Sequence, residues 1–153
     1  MLPFIKTSAK DTKIHPEETS YEYVLRFDGG SRGNPGRCGC GAVIYLNGKE
    51  IGSTYLYLGL NQTNNYAEYN GLIVGLKLAL EMGIKKILVE GDSLLVINQL
   101  TNKFKCNSPN LTSLYMEVSE LSGEFEKIEF HHILRHQNKR ADELANKAMD
   151  EGI

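Results

Sequence analysis

Four carboxylates, Asp28, Glu68, Asp92 and Asp142, lie far apart along the 153-residue chain. Each falls where an element begins or ends: two at strand ends, two in the first turns of helices. Such positions converge easily at one edge of a sheet. Packed together the acids would repel, and some of their pKa values would rise unless cations compensate. Helix amino termini favour ionised Glu68 and Asp142 by a few tenths to about 1 kcal/mol each, too little to offset the crowding. A divalent metal is the natural remedy. Oxygen-only ligation without a His or Cys cluster suits Mg²⁺ or Mn²⁺ better than zinc or copper. Two such ions about 3.5–4 Å apart can activate a water and stabilise a leaving oxygen during in-line displacement at phosphorus. Phosphodiester hydrolysis is the reaction this arrangement suits. Taken singly, each acid has an ordinary alternative: Asp28 before Gly29-Gly30 can favour a turn, Asp92 can cap a helix, and Glu68 and Asp142 can be first-turn acids.

The elements that must position these acids are legible from pattern. Residues 23–28 read as a strand that ends in the Gly-rich segment DGGSRGNPG, which puts Asp28 at a strand end facing a turn. Residues 38–46 and 51–58 are two further strands joined by Asn47-Gly48, a strong hairpin signal, so the first three strands predict an antiparallel meander. Residues 63–82 carry Leu72, Leu76, Ala79 and Leu80 on one helical face, with Gly83 as a stop and Glu68 on the inward side. A strand over 86–90 turns at Gly91-Asp92-Ser93 into a helix reaching about residue 100. A helix over 109–121 and a strand over 127–134 follow. The last helix starts near Asn138 and turns Ala141, Leu144, Ala145 and Ala148 inward, with Asp142 near its amino end. The order βββαβααβα predicts an α/β fold with one mixed sheet covered by helices.

The length predicts one domain over 21–153, preceded by a flexible extension over 1–20 that shows no sustained period. No stretch approaches the roughly 20 apolar residues of a membrane span, and the run at 1–5 is short for a signal peptide, so an intracellular, non-secreted, non-membrane protein is expected. Cys38, Cys40 and Cys106 make an odd count without zinc-type pairs and read as reduced packing residues. A formal charge of −2 argues against a broad phosphate-gripping surface. Two divalent cations add +4 and bring the loaded protein to about +2.

Four motifs in order, DGGSRGNPG (28–36), QTNNYAEYNGL (62–72), VEGDSLLVINQL (89–100) and RHQNKRADELAN (135–146), resemble type 1 ribonuclease H, especially the short form of archaea and plants. The resemblance runs from residue 23 to 149. It implies the ribonuclease H-like fold, a five-stranded mixed sheet in the order 3-2-1-4-5 flanked by helices. It further implies an endonuclease that cuts the RNA strand of RNA/DNA hybrids and leaves 5′-phosphate and 3′-hydroxyl ends. By position, Asp28 would bridge two Mg²⁺ or Mn²⁺ ions, Asp142 would hold the ion carrying the nucleophilic water, and Glu68 with Asp92 the ion nearest the leaving 3′ oxygen.

A nuclease limited to RNA in a hybrid must sense 2′-hydroxyls on one strand and deoxyribose on the other. The backbone of Gly29 and Gly30 can approach a strand closely, since no Cβ intervenes. The resemblance assigns 2′-hydroxyl reading to this segment and the Glu68 region, sugar and base-edge contacts to Asn34, Asn64 and Asn65, and a DNA phosphate to Thr63. Turn chemistry at Asn34 and helix capping by Thr63 are the structural alternatives. The segment between the second and third helices is short, with Lys103 and Lys105, and lacks the Trp- and Lys-rich protrusion of many bacterial relatives; Leu94 stands where those relatives have Gln. The loop before the last helix is shortened, and His136 is the nearest counterpart of a mobile His that assists product release in longer relatives. Arg135 is the alternative, since short-form relatives often have Arg-Glu where this chain has Arg-His, whereas His131 and His132 are assigned to structure. A monomer is expected. Rival readings are a non-catalytic hybrid-binding module on the same fold, and a related polynucleotidyl transferase or exonuclease.

Overall fold

A computed structural model of the chain describes residues 21–102 and 108–152. The expected extension over 1–20, together with Lys103, Lys105 and Cys106, lies outside the described residues. Strands β1 (Tyr23–Arg32), β2 (Gly36–Leu46) and β3 (Lys49–Gln62) form the antiparallel meander, and β4 (Lys86–Gly91) and β5 (Lys127–His132) add in parallel beside β1. The sheet order is β3-β2-β1-β4-β5, the expected one. Asn47 and Gly48 both have positive φ (49° and 83°), the backbone that a two-residue hairpin turn demands.

Helix α1 (Asn64–Glu81) starts at Thr63, whose hydroxyl accepts from the Tyr66 N–H at 3.2 Å, and stops before Gly83. Helices α2 (Leu94–Leu100) and α3 (Pro109–Ser122) lie on the same face of the sheet as α1 and complete the main core. There Leu25, Phe27, Ala42, Ile44, Ile87 and Val89 from the sheet meet Leu72, Leu76 and Ala79 of α1, all fully buried. Fully burying each such large side chain contributes about 1.5–3 kcal/mol, enough to fix which face of each strand turns inward. Tyr69 donates to Gln99 inside this core and joins α1 to α2.

Helix α4 (Lys139–Glu151) covers the opposite face of β2, where Ala141 and Leu144 pack on Val43. A single helical turn, Arg135–Gln137, leads into it. Arg26 ties this entry to the sheet: its Nε donates to Glu90 at 2.8 Å and its Nη1 to the Gln137 carbonyl at 2.9 Å. Among the described residues no helix is long and apolar enough to cross a membrane.

One expectation is corrected. Gly29 and Gly30 do not form a turn after Asp28; β1 continues through them to Arg32, with Gly29 opposite Cys40 and Gly30 opposite Gly39. The turn comes at residues 33–35. The reason lies in the helix above. A Cβ at Gly29 would sit 2.2 Å from the carbonyl carbon of Ala67, and one at Gly71 would sit 2.5 Å from the Asp28 carbonyl oxygen. These two glycines let α1 cross β1 in near contact at the acid, so what reads as turn chemistry is an approach requirement.

Candidate metal centre

Asp28 therefore sits within β1, not at its end, under the crossing of α1. Its neighbour strand β4 is in register with β1 up to the pair Phe27 and Gly91, so Asp92, the next residue, leaves the sheet beside Asp28. Glu68 descends from the second turn of α1. Carboxylate oxygens of Asp28, Glu68 and Asp92 all lie within 4.8 Å of one another. Asp142, in the first turn of α4, lies beside Asp28 and lines the same cavity. The four predicted acids thus converge as a tight trio with the fourth beside Asp28.

Electrostatics of the cluster follow from burial. Asp28 is 6% exposed and Glu68 8%. Burial first, then the charge of Asp92 and the hydrogen bond and charge of Asp142, push Asp28 from the ordinary 3.8 up to about 8, against a lowering bond from the Gly29 N–H to Oδ1 at 2.9 Å. Glu68 is raised well above the carboxylate range, again by burial first and then by Asp28 and Asp92. Glu68 lies beyond the first turn of α1, so the helix terminus gives it little help, unlike Asp142. Its Oε1 is buried without a hydrogen-bond partner, a costly state for a carboxylate oxygen. A divalent cation among these oxygens would relieve both the repulsion and the orphaned acceptor, so the donor set fits a hard metal ion.

The acids line an open cavity of about 650 Å³ whose walls include Gly29, Gly30, Asn64, Asn65 and Arg135. Of the expected contact residues, Asn34 and Thr63 do not line it. Asn34 and Asn64 are engaged in scaffolding: Asn34 Oδ1 accepts from the Asn64 N–H at 3.0 Å, and Asn64 Oδ1 accepts from the Ser31 N–H at 2.7 Å. Their carboxamides clip the β1–β2 turn to the start of α1. Thr63 caps α1 and opens instead on a neighbouring cleft of about 440 Å³ with Gln62, Tyr66 and Asn110. Arg135 is exposed on the cavity rim, while His136 is exposed outside its lining. His132 holds the Asp92 carbonyl oxygen at 3.2 Å and His131 pairs with Glu129, in line with their structural assignment.

Sequence reading missed Asn138. An Asn four residues before a first-turn acid reads as a helix cap, yet its side chain makes no capping bond. Only 1% exposed, it donates from Nδ2 to the Phe27 carbonyl at 2.9 Å and to Asp92 Oδ2 at 3.1 Å. Its own carbonyl accepts the Asp142 N–H at 3.1 Å. One residue therefore joins three parts of the centre: its side-chain amide holds the residue before Asp28 and the Asp92 carboxylate, and its backbone carbonyl holds the turn that carries Asp142. The reverse amide orientation would set oxygen against two oxygens, so donation is the only workable choice.

A family model described as reverse transcriptase-like matches residues 26–148. A Mycobacterium tuberculosis protein described as bifunctional is 40% identical over 129 residues, covering 83% of this chain and 35% of that protein. Its N-terminal ribonuclease H domain, solved as a fusion protein, superposes with a TM-score of 0.82 at 39% identity, covering 87% of this chain and 96% of that one. Ribonuclease HI of Halobacterium salinarum is 38% identical over 133 residues, 82% of this chain and 63% of that protein, and the crystal structure of ribonuclease H1 from that archaeon gives a TM-score of 0.81. LC11-RNase H1, solved in complex with an RNA/DNA hybrid, gives 0.80 at 34% identity, with 84% of this chain and 97% of that one covered. The chain spans about one-third to two-thirds of the length of these curated relatives. By matched length, sheet order and converging acids together, the chain belongs to the type 1 ribonuclease H family.

Proposed function

We propose that the chain is an endonuclease that hydrolyses the RNA strand of RNA/DNA hybrids, with Mg²⁺ or Mn²⁺ held by Asp28, Glu68, Asp92 and Asp142, two ions when substrate is bound, leaving 5′-phosphate and 3′-hydroxyl ends. The observation that carries the reading is the carboxylate trio within 4.8 Å, with Glu68 Oε1 buried and unpartnered. The hybrid held by LC11-RNase H1 supports the choice of substrate. Bound divalent metal would supply Lewis acidity at phosphorus and an activated water.

The chain's own residues do the rest. Asp28, which adjoins the other three acids, would be the shared ligand, with Glu68, Asp92 and Asp142 completing the set. Asn138 fixes one oxygen of Asp92 and leaves the other to the cluster. The Gly29 and Gly30 backbone lines the cavity and admits a ribose closely, which suits 2′-hydroxyl reading. Asn65, which lines the cavity, offers its carboxamide to a sugar or base edge, while Asn34 and Asn64 act by holding that wall in place. Thr63 offers its remaining hydroxyl capacity to a DNA phosphate in the adjoining cleft. Arg135 meets the bound strand at the rim, and His136, the loop residue whose type can move a proton near neutral pH, assists from outside the cavity.

A short ribonucleotide block placed inside a long DNA duplex and labelled at each end tests this reading. Internal cuts within the block, with 5′-phosphate on the downstream product, are expected. Digestion that requires a free end would favour the exonuclease reading, and metal-dependent binding without any cut would favour a non-catalytic module.

A further inference from the structure

Among the described residues, two cationic side chains line the carboxylate cavity, Arg135 and Arg32. Arg32 ends β1, four residues beyond Asp28, and its guanidinium is turned to α4. Nη2 donates to Asn146 Oδ1 at 3.0 Å, and Nη1 pairs with Asp150 at 2.7 Å. Asn146 in turn donates from Nδ2 to the carbonyl of Asp142 at 3.0 Å. The guanidinium is thereby registered on the helical turn that carries the fourth acid.

Stability does not explain this arrangement. The Arg32 side chain is 45% exposed and that of Asp150 66%, and pairs this wet contribute about 0–1 kcal/mol. A guanidinium carries five N–H donors in a planar fork suited to phosphate, and the two contacts here leave most of them available. The cavity meanwhile poses an electrostatic problem. Four carboxylates and a formal charge of −2 oppose a polyanionic strand, and metal at the cluster answers this only at the scissile phosphate. A fixed cation beside the cluster answers it at a neighbouring one.

We propose that Arg32 is a strand-binding residue, which takes a backbone phosphate of the strand lying over the carboxylates and sets that strand's register against Asp142. In the free protein Asp150 occupies the guanidinium edge that phosphate takes over, and Asn146 keeps the fork oriented throughout. This rests on the hybrid-nuclease reading above.

The test measures binding of an RNA/DNA hybrid to the Asp28→Asn background across about 50–200 mM salt, and KM and kcat on the active chain. Arg32→Ala is expected to weaken binding about tenfold and to lower the slope of log affinity against log salt by about one. On the active chain it raises KM about tenfold with kcat changed less than twofold. Arg32→Lys keeps the salt slope while losing part of the affinity, since charge remains without the fork. Asp150→Asn, which removes the competing anion, strengthens binding about two- to fivefold. An unchanged salt slope and KM in Arg32→Ala overturn the proposal, as does a loss confined to kcat. If Arg32→Ala fails to fold, Asp150→Asn decides: unchanged or weaker binding refutes the assignment. An unmodified chain that neither binds nor cuts hybrid overturns this proposal together with the reading beneath it, whereas normal cleavage with an unaffected Arg32→Ala overturns this proposal alone.

Discussion

Asp28→Asn should make the metal-free protein more stable at pH 8 while leaving it nearly unchanged at pH 4. In the folded chain the Asp28 carboxyl is pushed from 3.8 to about 8, chiefly by burial and then by its acidic neighbours. Below about pH 4 both folded and unfolded states hold the proton, and the crowding has no effect. Between about 4 and 8 the unfolded state releases the proton while the folded state keeps it, so folded stability falls as pH rises. Above about 8 the folded carboxyl ionises too, and the full penalty is in place. A rise of roughly four units corresponds to about 6 kcal/mol if Asp28 carried it alone. Glu68 shares the same crowding, so removing one charge should recover several kcal/mol at pH 8. Asn suits the position, because its Oδ1 can still accept the Gly29 N–H. The assay is urea unfolding in EDTA from pH 4 to 9 for both proteins; subtracting one curve from the other cancels histidines and other common groups. Equal stability at pH 8, or a wild-type advantage that grows with pH, would refute the crowded-carboxylate account. Saturating Mg²⁺ or Mn²⁺ should reverse the order, stabilising the wild type at pH 8 far more than Asp28→Asn.

Other outcomes follow from the same geometry. Asn138→Ala should lower kcat about 10- to 100-fold with a smaller change in KM, because Asp92 loses its fixed oxygen; kinetics at saturating metal would check this, and an unchanged kcat would remove Asn138 from the centre. Gly29→Ala should destabilise by about 3 kcal/mol or more, since the new Cβ meets α1 backbone that cannot yield, whereas Gly30→Ala, 3.4 Å from a flexible Met149 end, should cost little; paired denaturation curves compare the two. Arg135→Ala should raise KM for hybrid and His136→Ala should lower turnover with little change in KM. A turnover loss confined to Arg135 would move the assisting role to that residue.

What the sequence discloses, and what it hides, has a common cause. Strands and helices are legible because burial imposes periods of two and 3.6, and the meander is legible because Asn47-Gly48 fits a turn with positive φ at both positions. The acids are legible as a set only through the motifs around them, since each has an ordinary local role available. Local reading fails where a residue serves something distant in sequence. Gly29 looks like turn chemistry but accommodates Ala67 of α1. Asn138 looks like a cap but bonds to Phe27 and Asp92. Asn34 and Asn64 also bond with each other's segment, a tie between the β1–β2 turn and α1 that no local pattern announces. Asn146 and Arg32 show no pattern at all until β1 and α4 are brought side by side.

The most direct test of the central claim is cleavage of a uniform RNA/DNA hybrid by the purified chain, with Mg²⁺ or Mn²⁺ against EDTA, beside single-stranded and double-stranded RNA of the same sequence. Metal-dependent cutting of the RNA strand of the hybrid, abolished in a folded Asp28→Asn, is the predicted result. Equal cutting in EDTA, or a preference for single-stranded RNA, would contradict it.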